Sequence, residues 1–176
     1  MRIGIIGAGN FSTKVLEHLR SIDTLTIVGG YDSLVLDGFQ SYTSLEEMLV
    51  EVDSVLVFDI LYSSFSSLST VVKYGKHLYI ESPGLCTNRE LRNLEMLGYE
   101  SGSLLQVGLK QRYYSFYQDL AKYDLSSRIM ESSRFVKFNK KSTQLSVIDD
   151  LMLHDIDVTL MIANAEVKSI YSTAVG

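Results

Sequence analysis

Cysteine, proline and tryptophan are nearly missing: one cysteine, one proline and no tryptophan occur in 176 residues. The lone Cys86 excludes an internal disulfide, so a reducing cytoplasm is the expected compartment. Proline stands only at Pro83, and no flexible linker, internal repeat or low-complexity segment is present. A basic excess is also lacking. Sixteen lysines and arginines against 21 acids give a net charge of −5, which argues against a nucleic-acid partner. Long hydrophobic runs are absent too. The longest uncharged stretch, 60–72, is too short to cross a bilayer and is full of serines. Gly7 and Gly9 interrupt the first apolar run, so no signal peptide is read there and a soluble protein is expected.

What is present begins at the N-terminus. The apolar run Ile3-Gly4-Ile5-Ile6 enters the turn Gly7-Ala8-Gly9 and leaves with Val15, Leu16 and Leu19 at helical spacing. Strand, tight turn and helix in this order open a dinucleotide-binding unit. Gly7 permits the sharp turn, and Gly9 lets the backbone approach a pyrophosphate. The free N–H groups of the next helix then face that anion. Ser12 replaces the usual third glycine, a small residue in place of a smaller one. Residues 25–31 form a second apolar strand ending at Asp32, roughly twenty residues past the glycines, where an acid accepts the ribose hydroxyls and repels a 2′-phosphate. That favours NAD over NADP. A plain turn aspartate is the alternative.

With 46% hydrophobic residues the chain can bury one domain, or one domain and part of a second. The pattern predicts a short strand at 39–42 and a capping box at Thr43 to Glu46 opening a helix through 52. Further strands are expected at 54–58, 76–80 and 103–107. A helix over 63–74 and another from a second capping box, Thr87 to Glu90, separate them. Strands without polar alternation, divided by helices, specify an α/β fold with a doubly wound parallel sheet. Its ligand edge should gather Gly7, Asp32, Asp59, Glu81 and Gly108. Residues 1–112 are expected as the dinucleotide-binding domain and 113–176 as a truncated α+β segment. That segment should hold helices at 116–123 and 149–163, with alternating strands at 134–138 and 167–173.

Asp150 and His154 stand four apart on the later helix, so they share a face. A carboxylate beside an imidazole raises its basicity and orients it, as a general base requires; a surface contact is the plainer reading. Asp149, Asp155 and Asp157 crowd the same helix start, where negative charge is favourable. No metal site is read, because neither His18 nor His77 has a spaced partner.

Taken in order, the glycine turn, Gly75-Lys76-His77 leading to Glu81-Ser82-Pro83, Gly108 with Arg112-Tyr113, and Asp150-x-x-x-His154-Asp155-x-Asp157 resemble one family. It is the oxidoreductase family named after glucose–fructose oxidoreductase, inositol dehydrogenase and MocA. The resemblance implies hydride transfer between NAD and a sugar, polyol or related small molecule. On it, Gly7 and Gly9 hold the cofactor phosphates, Asn10 and Phe11 also bind the cofactor, Asp32 holds the ribose, and Glu81 and Pro83 flank the nicotinamide. Asp150 and His154 handle the substrate hydroxyl proton. Three positions depart from the family: Ser82 replaces a lysine, Asp59-Ile60 replaces a Thr-Pro turn, and Phe65 replaces a histidine. Lys110 is a candidate to supply the lost ammonium. The same family includes a member that binds and regulates without turnover, the alternative function. An open edge at the last strand implies a homodimer or larger assembly.

Overall fold

The computed structural model describes residues 1–7, 13–31, 38–58, 64–81, 86–120, 122–123, 129–137 and 146–174. They fall into two compact units, Met1–Gly108 and Leu109–Gly176.

The first unit is a six-stranded parallel sheet in the order β3-β2-β1-β4-β5-β6. The strands are β1 (Arg2–Ile6), β2 (Thr26–Tyr31), β3 (Gln40–Tyr42), β4 (Ser54–Val57), β5 (His77–Ile80) and β6 (Leu105–Val107). Helix α1 (Thr13–Arg20) joins β1 to β2, and α2 (Leu45–Glu51) carries the chain back from β3 to β4. Helices α3 (Phe65–Lys73) and α4 (Asn88–Ser101) then connect β4, β5 and β6. The chain therefore winds outward from β1 one way and from β4 the other. Right-handed crossovers put helices on opposite faces when the winding direction reverses. Two apolar layers result. Ile3 and Ile5 pack with Leu16 of α1, Ile27, Leu56 and Phe58. Ile6, Val55, Val57, Leu78 and Ile80 pack with Met48, Leu49, Leu68, Val71, Val72 and Leu94 of α2 to α4. Both faces of the central strands are covered, which is why their sequences show no polar alternation.

Two glycines set the closest approaches. A side chain at Gly29 would fall 2.3 Å from the Gln40 carbonyl oxygen, so the β2–β3 pairing needs hydrogen there. At Gly4 the hypothetical Cβ would meet the Met48 thioether sulfur at 2.8 Å, the space Met48 uses to reach the sheet.

Caps follow the sequence with one shift. Thr87 and Glu90 close the predicted reciprocal box on α4, and Gly102 ends that helix in the left-handed conformation at φ 68°. For α2 the cap is Ser44, one residue later than predicted: its Oγ accepts from the Glu47 N–H at 3.4 Å and donates to Glu46 at 2.8 Å. Thr43 and Ser44 are both competent caps, and the one adjoining the first helical residue takes the role.

The second unit holds a 3-10 turn (Lys110–Tyr113), α5 (Ser115–Leu120), a π-turn (Ile148–Met152) and α6 (Leu153–Ala163). The helix predicted from 149 thus starts as a wider i→i+5 turn. The strands predicted at 134–138 and 167–173 are not formed among the described residues: 131–137 and 166–174 carry no ladder. Phe135, Ile170 and Tyr171 are exposed rather than packed. Alternation specifies which face of a strand would be apolar, but backbone N–H and C=O groups need a paired neighbour before a strand exists. This unit's described residues supply none.

Candidate functional site

In the first unit the carboxyl ends of adjacent strands form one rim. Beyond the strands proper, three backbone hydrogen bonds extend the ladder by a residue. Phe58 N–H donates to the Ile6 carbonyl at 3.1 Å, Glu81 N–H to Val57 at 3.0 Å and Gly108 N–H to Ile80 at 2.7 Å. The end residues Phe58, Glu81 and Gly108 are therefore fixed by the sheet and not by loops. Gly7 follows β1 with φ 72°. A residue with a Cβ is penalised there by roughly 1–2 kcal/mol, so glycine is a geometric requirement at this turn. Between β1 and β4 the chain leaves toward opposite faces, which opens the crevice where this class of sheet binds ligands.

Gly108 has a second role that sequence reasoning missed. A Cβ there would lie 2.2 Å from the Tyr79 hydroxyl and 3.1 Å from the Glu81 Cα. Its absence lets Tyr79 pass the end of β6 and stack at 5.8 Å between centroids with Phe58. The signal was a glycine directly after an apolar strand, but its aromatic neighbour could not be assigned from spacing.

The fit of a dinucleotide can be tested on what is described. Gly7 supplies the required left-handed turn, and α1 opens without an acidic residue in its first turn. A left-handed turn and a first helical turn without acids both suit a pyrophosphate. Gly9, Asn10, Phe11, Ser12, Asp32, Asp59, Ser82 and Pro83 lie outside the described residues. An apolar hollow of about 540 Å³ between α4 and β5–β6 contains none of the candidate residues.

The second unit places His154 as the second residue of α6, straight after the π-turn. Its Nδ1 is buried and has no hydrogen-bond partner among the described residues. Asp150 lies in the π-turn, and its side chain is outside the described set. The neighbouring acids are not simply favoured by a helix start, as the sequence suggested. Asp157 is buried and receives Arg112 as a fork, Nε at 2.7 Å to one oxygen and Nη2 to the other. Asp155 receives Arg134 the same way, at 2.7 and 2.5 Å. The Arg134 hydrogen bonds hold the Asp155 carboxyl below its ordinary range against the opposing effect of burial. The Asp157 hydrogen bonds raise Arg112 further above its already high value. Asp149 accepts from Ser146 Oγ at 2.6 Å. The arginine partners lie 45 and 21 residues upstream, a distance at which one sequence carries no pairing signal. A hollow of about 420 Å³ runs beside α6, lined in part by Arg134, Leu151, Asp155 and Thr159.

The remaining histidine in a strand is structural: His77 Nδ1 accepts the Leu104 N–H at 3.1 Å. Among the described residues no group of three or more His, Cys, Asp or Glu side chains could hold a metal. None of their helices is long and apolar enough to cross a membrane.

Six parallel strands in this order, with a glycine turn at the point of reversal, define the Rossmann class of α/β proteins. No family model matches the chain. It is 27% identical over 175 residues to UDP-N-acetylglucosamine 3-dehydrogenase of Acidithiobacillus ferrooxidans, a match covering 94% of this chain and 55% of that protein. The solved structure of that dehydrogenase, GnnA, superposes with a TM-score of 0.83 at 25% identity, covering all of this chain and 61% of the other. A putative oxidoreductase of Salmonella typhimurium, YceM, is 24% identical over 179 residues, 96% of this chain and 58% of the relative. The chain therefore spans somewhat more than half the length of these relatives. Its homologues are oxidoreductases of the glucose–fructose oxidoreductase, inositol dehydrogenase and MocA kind, the family its motifs resemble.

Proposed function

We propose that this chain is an NAD-dependent oxidoreductase acting on a hydroxyl or carbonyl carbon of a sugar or polyol, with a sugar nucleotide as the first substrate to try. The observation that carries this is the left-handed Gly7 turn at the reversal point of the sheet. The sugar-nucleotide choice is supported by the activity in the name of the Acidithiobacillus relative. Gly7 and Gly9, with Asn10 and Phe11, would hold the phosphates and Asp32 the ribose. Glu81, fixed by its N–H to Val57, and Pro83 would flank the nicotinamide. NAD is favoured over NADP because the Asp32 carboxylate would repel a 2′-phosphate. The bound nicotinamide supplies the hydride acceptor. His154 would take the hydroxyl proton as neutral imidazole, and Asp150, one helical turn earlier, would orient it. The carbon thus loses a hydride and its oxygen a proton, leaving a carbonyl.

Ser82 favours a second reading. A hydroxyl cannot supply the cationic hydrogen bond of the family lysine to an incipient alkoxide, and losing a donor of that kind costs about 10²–10³ in rate. A protein that binds NAD and a sugar ligand without turnover, acting through a partner, fits that loss. Exposed Phe135, Ile170 and Tyr171 support a homodimer or larger assembly that covers them. One experiment separates the readings: titration with NADH and NADPH by nicotinamide fluorescence, then UDP-N-acetylglucosamine with NAD in a turnover assay. The enzyme predicts NADH binding and product formation. Binding without product selects the regulator, and binding of neither dinucleotide removes both.

A further inference from the structure

We infer that Arg112 is a positioning residue for His154, acting through its fork onto Asp157. This presupposes the proton-handling role proposed for His154. Among the described residues Asp157 is the only buried charged side chain. Burying a carboxylate is costly unless it is well paired, and a matched apolar pair in the same space is often equally stable. The fork is therefore poorly explained as a source of stability alone. What it supplies is geometry. Two parallel N–H···O bonds to one carboxylate fix orientation where a single bond would allow swivel.

The orientation matters because of what surrounds it. Asp157 lies three residues after His154, on the same side of α6. The helical run that becomes α6 is capped upstream, where Ser146 Oγ accepts the Asp149 N–H at 3.1 Å, and α6 itself follows a π-turn, a widened geometry that recurs at functional sites. His154 Nδ1 makes no hydrogen bond among the described residues. The helix backbone carries the ring, and Asp150 would orient it from one turn earlier. The helix in turn is set against the 3-10 turn Lys110–Tyr113 by Arg112. The second fork, Arg134 to Asp155, differs in holding an acid that is only partly buried, 20% exposed against 8% for Asp157, although its arginine is the less exposed of the two. The Tyr113 and Tyr117 hydroxyls lie near these forks, and His154 lies near Asp155.

The test uses the full chain and three variants: Arg112→Lys, the apolar pair Arg112→Met with Asp157→Leu, and His154→Ala. The readouts are thermal unfolding and the NMR signals of the three imidazoles at fixed pH, His18 and His77 serving as internal controls. Arg112→Lys keeps the charge and loses the fork. It should fold, shift or broaden the His154 signals, and leave His18 and His77 unchanged. The apolar pair should recover wild-type thermal stability without restoring the His154 signals. Where turnover is present, Arg112→Lys should lower kcat about 10²-fold with the KM for NAD unchanged, the loss expected of a group displaced by about 1 Å. Unchanged His154 signals in either folded variant would overturn the positioning role. Failure of both variants to fold would also overturn it, since the fork would then be a folding element. Undiminished turnover in His154→Ala would instead end the proton-handling role, and the NMR result would stand apart from it.

Discussion

The two units are held together by different physics. In Met1–Gly108 the buried apolar side chains form layers on both faces of a sheet whose backbone is paired strand to strand. In Leu109–Gly176 Val158 is the only buried apolar side chain among the described residues, and two arginine forks tie onto one helix. The first unit is specified locally, by apolar runs that bury wherever they pair. The second is specified at a distance, by charges that find one another across tens of residues.

The contrast can be broken or sharpened by substitution. Leu68→Ala, at a fully buried position of α3, should cost about 3 kcal/mol by transfer and cavity terms together. Ile170→Ala, at an exposed position, should change stability by less than about 0.5 kcal/mol. Denaturant unfolding followed in both units checks the pair; equal losses would erase the contrast. Gly108→Ala should cost about 1–2 kcal/mol, because the methyl group displaces the Tyr79 hydroxyl and presses on Glu81. Its sharper readout is the Phe58–Tyr79 ring contact, which should be lost in a crystal structure of the variant.

A small effect is also expected of Arg134→Ala, about 0.2–1 kcal/mol for a partly exposed pair. Its pH dependence has a defined sign. Arg134 holds the Asp155 carboxyl below its ordinary value, so the folded state binds this proton less readily than the unfolded state. The stabilisation is present above the unfolded carboxyl pKa and is lost as pH falls through the depressed folded value. Wild type and variant should therefore differ at pH 7 and converge in acid. A difference that grows on acidification would contradict the ion pair.

The same contrast explains what the sequence revealed. Ile3, Ile5 and Ile6, the apolar run from Ser54, and the Thr87 to Glu90 box all specify local structure, and the sheet follows from them. The α2 cap slipped by one residue because Thr43 and Ser44 compete for a single position. The strands expected at 134–138 and 167–173 are not formed among the described residues for a deeper reason: alternation names a face and leaves the partner unnamed. Arg112 and Arg134 were invisible as partners of Asp157 and Asp155 because nothing local links them. In the candidate site, Gly7, Glu81 and Gly108 stand at the strand ends where the pattern put them, while nothing in the sequence said that Gly108 makes room for Tyr79. The proton-handling pair remains a proposal resting on helix spacing and on His154 alone.

The most direct test of dinucleotide binding at this rim is an NADH titration of the whole chain followed by amide NMR. The amides of Gly7, Phe58, Glu81 and Gly108 should shift together along one saturating curve. Absence of saturable shifts, or shifts gathered instead around the hollow between α4 and β6, would contradict the account.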